Sequence, residues 1–247
     1  LPWPVLFIFL AAYGGVVFYV VLRHIPETLP APQSLRPARI VANYLVLLRD
    51  PVFLPVAIAS AMVFSGLMAY LSSSGFVFIN MLGVPVEYFG LIFLTSVIGY
   101  MAGSALSARL ATKYEPARMM LAGGSLAFIA TLLMLLFHLL APTSVIALVL
   151  PMTLFSAAMG ITLPHSMALA MEHFPHIAAT NAALFGFLQM GLSAAITAGV
   201  GTILGSTPLP MILVMVATQM VAIALIMLGE RRHRRIPTPD QEETSPP

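Results

Sequence analysis

The stretch GSALSARLATKYEPARMM, Gly103–Met120, carries Arg109, Lys113 and Arg118, while long runs on both sides carry no charge. An apolar segment rich in small residues stops at a basic, proline-containing turn, and a second apolar segment starts at once. This is the pattern of two rods joined by a short polar hinge. Composition extends it to the whole chain: of 247 residues, 60% are hydrophobic and 8% are charged. A soluble domain is usually about one quarter charged, because its surface must face water. Eleven basic and nine acidic residues do not cover a body of this size, so lipid is the expected solvent for most of it. Cysteine is absent, which excludes a disulfide framework and a thiolate metal site.

Crossing a hydrocarbon core of about 30 Å takes roughly 20 apolar residues at about 1.5 Å each. Seven runs qualify: Pro2–Leu22, Val52–Ile79, Tyr88–Ala111, Met119–Leu140, Thr143–Pro164, Ala178–Leu204 and Pro208–Leu228. The expected fold is an all-α membrane protein with seven transmembrane helices. The first run lacks a basic leader and a small-residue cleavage site, so it reads as a span and not a signal peptide. The chain starts inside a hydrophobic run, and an upstream portion is expected.

The basic residues orient these spans. Arg23, Arg36, Arg39 and Arg49 fall between the first and second. Arg109, Lys113 and Arg118 lie at or between the ends of the third and fourth, and Arg231, Arg232, Arg234 and Arg235 follow the seventh. The connections after the second, fourth and sixth carry none. All eleven cations thus share one face, which the positive-inside rule makes cytoplasmic. Leu1 is then expected outside and the carboxy terminus inside. ERRHRR, residues 230–235, abuts a span without aromatic interleaving, so it reads as an anchor with some attraction to anionic lipid and not as a nucleic-acid patch. The polar, proline-rich end IPTPDQEETSPP is expected to be disordered.

The segment 23–51 is the longest connection. Four prolines in IPETLPAPQSLRP forbid a regular helix. The following ARIVANYLVLLRD has apolar residues at helical spacing and is expected to lie along the membrane surface. A single helix, a long connection and six closely linked helices make up the chain, although no clear internal repeat is visible.

Four stretches together carry a family resemblance. GSALSARLATKYEPARMM resembles the loop signature of the major facilitator superfamily, in the form found between the eighth and ninth helices. Gly103, Arg109, Lys113 and Arg118 match it. The acidic residue usual in the first-half copy is absent, and Ser107 or Ala108 stands near its place. HIPETLPAPQ (residues 24–33) resembles the end of the sixth helix in bicyclomycin/chloramphenicol-resistance-type drug:proton antiporters. FSGLMAYLSSSGFVFINMLGVPVEYFGLIF (64–93) is similar to their seventh helix, outer loop and eighth helix, and TLPHSMALAMEHFPHIAATNAALFGFLQM (162–190) to their tenth-to-eleventh connection.

The resemblance implies helices six to twelve of a twelve-helix transporter of a bacterial inner (plasma) membrane. Its parts would be a sixth helix over 1–22, a cytoplasmic central loop over 23–51, a six-helix half over 52–228 and a cytoplasmic tail over 229–247. The implied activity is multidrug efflux by proton antiport with alternating access. The implied partners are a small amphipathic drug-like substrate, protons, the lipid bilayer and the missing amino-terminal half. No cofactor, enzyme activity or nucleic-acid partner is implied. The coupling carboxylate is expected in the missing helices, since none of the nine acidic residues falls in mid-span.

Polar side chains deep in a span are expected to face a cavity or another helix. Phe64, Met68, Tyr70, Ser74, Tyr100, Gln189 and Met190 are the candidate lining of a polar–aromatic substrate cavity with adaptable methionine walls. The competing reading is helix–helix hydrogen bonding, with serines bonded back to their own helix. Gly103, Arg109, Lys113 and Arg118 are the candidate gating loop, with plain topological anchoring as the alternative. Gly99–Gly103 and Gly201–Gly205 each have GxxxG spacing and are expected to bring helices close. The fifth span is expected to end at Pro164. His138, His165, His173 and His176 are expected to be water-wetted interfacial residues. Glu172, His173 and His176 do not form a metal site, because Pro175 breaks the face that a ligand pair needs. A seven-helix receptor is the alternative reading, but the only lysine, Lys113, lies in a loop, which excludes a retinal Schiff base in the last span. A membrane-embedded enzyme finds no nucleophile–base pair within a span.

Overall fold

The computed structural model describes residues 4–24, 37–172, 174–203, 205 and 207–233. Contacts divide the chain into two units, Leu1–Arg39 and Ile40–Pro247. The first unit contains α1, Pro4–His24, whose 21 residues include none that is buried. Most of the central connection and the end of the tail lie outside the described residues.

Helix α2, Pro37–Arg49, leads into the second unit. Its Leu47 is fully buried against Val52, Phe53 and Val56, while Val41, Leu45 and Val46 are exposed. Six long helices follow: α3 Phe53–Gly75, α4 Val86–Leu110, α5 Pro116–Leu140, α6 Ile146–Glu172, α7 Ala178–Ile203 and α8 Leu209–His233. Among the described residues, seven helices are long and apolar enough to cross a membrane, so the chain is a multi-pass membrane protein.

Local chemistry sets the helix ends. Asp50 Oδ1 accepts hydrogen bonds from the backbone N–H groups of Val52 and Phe53 at 3.0 and 2.5 Å. Those are donors that the first turn of α3 leaves without a helical partner, and the carboxylate also suits the positive end of the helix. Helix α3 runs on into a π-helical turn, Phe76–Met81. Gly83, at φ 67°, turns the chain outward, a backbone region where a Cβ would be strained. Pro116 opens α5, at a position where its missing N–H costs nothing.

The hydrophobic core has two centres. One holds Tyr70, Phe78, Met134, Met152, Phe155, Met211 and Met215, and the other holds Leu47, Phe53, Met120, Leu169, Leu184, Phe185 and Ile226. Helices α3 and α6 touch each other and form the middle of the unit. Helix α4 lies mainly on α6, α7 mainly on α3, and α5 and α8 close the far side. Glycines decide the tightest approach. A Cβ on Gly99 would overlap the carbonyl of Thr153, a Cβ on Gly103 the carbonyl of Ala157, and a Cβ on Gly160 the carbonyl of Tyr100. The backbones of α4 and α6 therefore touch, as the Gly99–Gly103 spacing predicts. Gly201–Gly205 differs from expectation: a Cβ at either position meets nothing within 4 Å. Gly201, Thr202 and Ile203 are exposed at the end of α7.

Helix α6 corrects a second expectation, because it does not stop at Pro164 but continues to Glu172. A proline lacks the N–H that would bond the carbonyl four residues back, here that of Gly160. Ser104 Oγ of α4 donates to that oxygen at 3.5 Å. A neighbouring helix thus supplies a weak substitute, and in lipid such substitution lets a helix run through a proline.

Candidate functional site

One group of polar side chains in the second unit lies where α3, α6 and α7 meet. Ser166 Oγ of α6 donates to Ser60 Oγ of α3 at 3.0 Å, and Gln189 Nε2 of α7 donates to the same oxygen at 3.4 Å. Ser60 and Ser166 are fully buried, whereas Gln189 is half-buried. About two turns nearer the start of α7, Asn181 is buried and its Nδ2 donates to the Ala170 carbonyl of α6 at 2.6 Å. Three helices are thus held together by side-chain hydrogen bonds.

The expected lining residues separate by helix face. Phe64 and Met68 form a half-exposed stripe on α3, continued by Leu71 and the exposed Phe76. Tyr70 and Ser74 lie on the buried face of the same helix. Tyr70 meets Phe78 edge-on at 6.1 Å, and its hydroxyl has no hydrogen-bond partner within the described structure. Ser74 Oγ donates to the Leu71 carbonyl of its own helix at 2.8 Å. Met190 is exposed on α7, and Tyr100 is partly exposed on α4. Of the seven residues, Gln189 alone joins the Ser60 cluster through a described hydrogen bond.

The loop after α4 is arranged differently. Gly103 is packed beneath Ala157. Arg109 and Lys113 are exposed, and Arg118 Nε pairs with Glu115 Oε2 at 3.7 Å, with both side chains largely in solvent. Screening leaves such a pair at about 0–1 kcal/mol. Thr112 Oγ1 donates to the Arg109 carbonyl, closing the end of α4.

The histidines also depart from a wetted ring. His165 is 7% exposed, and its Nε2 lies 2.9 Å from Ser107 Oγ across the α4–α6 contact. His138 is equally buried near the end of α5, and its Nδ1 lacks a partner. His176 is exposed beside Phe174, and His173 lies outside the described residues. Among the described residues, no three His, Asp or Glu side chains gather as metal ligands.

Sequence reasoning missed Ser166 and the His165–Ser107 pair because it ended the helix at Pro164. It also missed Gln219 of α8, which is 1% exposed and whose Nε2 donates to the Met62 carbonyl at 3.3 Å. A lone amide in the run LVMVATQMVAIA was the available signal, since a buried amide in lipid needs a partner.

Comparison with known proteins places this architecture. The Major Facilitator Superfamily matches residues 1–198. A bicyclomycin resistance protein homolog of Haemophilus influenzae is 25% identical over 223 residues, covering 90% of this chain and 56% of that relative. An uncharacterized MFS-type transporter of Bacillus subtilis, YdgK, is 26% identical over 236 residues, covering 94% of this chain and 58% of that relative. The chain therefore spans little more than half the length of the relatives it matches. With the match running from the first residue into α7, and the helices in place that such a match requires, the chain belongs to the Major Facilitator Superfamily.

Proposed function

We propose that the chain is the carboxy-terminal portion of a secondary active transporter that exports drug-like molecules by proton antiport. The observation that carries the reading is the Ser60–Ser166–Gln189 cluster, which gathers polar groups from three helices one turn from Phe64 on α3, where the apolar stripe of Phe64 and Met68 begins. Hydrogen-bonding groups beside adaptable apolar walls suit amphipathic compounds of varied shape. The name of the Haemophilus influenzae relative, a bicyclomycin resistance protein homolog, supports drugs as the cargo.

In this reading the six helices α3–α8 rock as one body against an amino-terminal half, around a site near the membrane midplane. The basic connections face the cytoplasm of the bacterial inner membrane, as does the carboxy terminus. Among the described residues Asp50, Glu87, Glu115, Glu172 and Glu230 all lie at helix ends or in loops. The carboxylate that exchanges protons therefore belongs to the other half.

The test is expression of the full-length gene in an efflux-deficient strain, with accumulation of a panel of amphipathic compounds measured with and without an uncoupler. Lower accumulation that the uncoupler restores is expected, and Ser60→Ala with Gln189→Ala is expected to weaken it for some compounds. Accumulation unchanged by expression across the panel removes drug efflux as the function.

A further inference from the structure

The contact between α4 and α6 is tight only near its middle, at Gly99, Gly103 and Gly160. A cavity lies toward each end. The one toward the α3–α4 turn has a volume of about 380 Å³ and is lined by Thr95, Ile98, Ile146, Val149, Leu150 and Thr153. Both threonines there bond carbonyls of their own helices, at 2.7 and 2.9 Å, so that wall is effectively hydrocarbon. The cavity at the basic end has a volume of about 440 Å³ and a different chemistry. Ser104, Ser107, Tyr114 and His165 contribute polar groups to it, between walls of alanine and proline.

Three features of this second cavity point to an anion with an apolar tail. The first is charge: Arg109 and Lys113 are chain neighbours of the lining residues Ala108 and Tyr114, and neither forms an ion pair among the described residues. Glu115, the acidic residue at the same mouth, is turned onto Arg118. The second is donor supply. The Ser107–His165 contact occupies one ring nitrogen of the histidine, and the Tyr114 side chain is half exposed at the rim. The third is size. At about 30 Å³ per water, 440 Å³ holds roughly fifteen waters, several times the space of a bare phosphate. Val97, Met101 and Leu106 of α4 are exposed hydrocarbon.

We propose that this cavity binds the phosphate headgroup of an anionic phospholipid of the cytoplasmic leaflet. Arg109 and Lys113 attract the phosphate. Ser107 donates to His165 Nε2 and so leaves the other ring nitrogen of His165 as an N–H donor. That N–H and the Tyr114 hydroxyl meet the phosphate oxygens, and the acyl chains lie along α4. Basic pockets between helices at the cytoplasmic surface suit anionic headgroups on general grounds. The inference rests on the orientation given above but not on drug export.

Native mass spectrometry of the purified full-length transporter tests it, with delipidated protein titrated against phosphatidylglycerol, phosphatidylcholine and inorganic phosphate. Phosphatidylglycerol is expected to bind in preference to phosphatidylcholine and to survive millimolar inorganic phosphate. Arg109→Gln with Lys113→Gln is expected to weaken it about 30-fold, which at about 1.4 kcal/mol per tenfold is about 2 kcal/mol, or about 1 per cation. Ala168→Leu, which fills the cavity without touching a charge, is expected to abolish the preference. Equal binding of the two lipids, or full retention by both variants, overturns the proposal. Displacement by inorganic phosphate also overturns it and assigns the site to a free anion. Failure of the orientation reads out separately, as labelling of Lys113→Cys from the periplasm. Failure of drug export leaves lipid binding unchanged.

Discussion

Replacing Gly103 by alanine tests the tightest feature of the fold. Alanine is the better helix former by about 1 kcal/mol, so an unobstructed glycine-to-alanine change in a helix should stabilise. At Gly103 the new methyl would fall on the carbonyl of Ala157, with the carbonyl carbon at 2.6 Å and the Cα at 2.7 Å. Ordinary carbon contacts lie at about 3.5–4.0 Å, so α4 and α6 must part by roughly 1 Å. Backbone cannot swing aside as a side chain can, and α6 is held from its other side, where Gly123 of α5 sits against Thr162. Overpacking of this kind costs about 1–3 kcal/mol, and a clash with backbone on both sides belongs at the upper end of that range. Set against the propensity gain of about 1 kcal/mol, a net loss of up to about 2 kcal/mol follows. Gly191 and Gly199 of α7 are the controls, because a Cβ at either meets nothing within 4 Å. Thermal unfolding of the full-length transporter in detergent should place Gly103→Ala clearly below wild type and Gly191→Ala at or above it. Gly99→Ala combined with Gly103→Ala should cost less than the sum of the two, since one separation of the helices relieves both clashes. If Gly103→Ala melts with Gly191→Ala, the backbone contact is not what holds α4 to α6.

Three further outcomes follow from single contacts. Asp50→Ala should cost about 1 kcal/mol of stability in the same melt, because two N–H donors at the start of α3 lose their acceptor; Asp50→Asn, which keeps an oxygen there, should recover most of it. Ser104→Ala should destabilise by about 0.5–1.5 kcal/mol in the wild-type background and by less in Pro164→Ala, where the restored N–H serves the Gly160 carbonyl; an equal loss in both backgrounds refutes the substitution of one donor for the other. Tyr70→Phe should leave the melt unchanged or raise it, since the hydroxyl lost is buried without a partner; a fall above about 1 kcal/mol would mean that the hydroxyl is bonded in the assembled transporter.

The spans were legible because a bilayer demands long apolar runs, and the basic turn at Arg109–Arg118 stands out against them. Gly99–Gly103 was legible for a similar reason, since small residues one turn apart allow backbone contact. The same pattern at Gly201–Gly205 misled, because spacing states what a helix face permits and not whether a partner lies against it. The end of α6 was misjudged because the hydrogen bond that Pro164 forfeits is replaced from Ser104, 56 residues away in the chain. With the helix cut short in the reading, His165 and Ser166 fell in a loop, and the contacts they make with Ser107 and Ser60 could not be foreseen. The serines of α3 looked alike in sequence. Ser65, Ser72 and Ser74 bond carbonyls of their own helix, while Ser60 bonds side chains of α6 and α7. Only the register of three packed helices distinguishes them.

The meeting of α4 and α6 has a mechanical consequence. Gly99–Gly103 lies near the midpoint of a 25-residue rod and Gly160 near the midpoint of a 27-residue one, so the pair resembles scissor blades joined at a fulcrum. Each arm is roughly 19 Å long at about 1.5 Å per residue, and a change of about 5° in the crossing angle moves the tips apart by about 1.6 Å. Such leverage lets a disturbance of less than a methyl's width at the pivot be felt on both faces of the membrane at once.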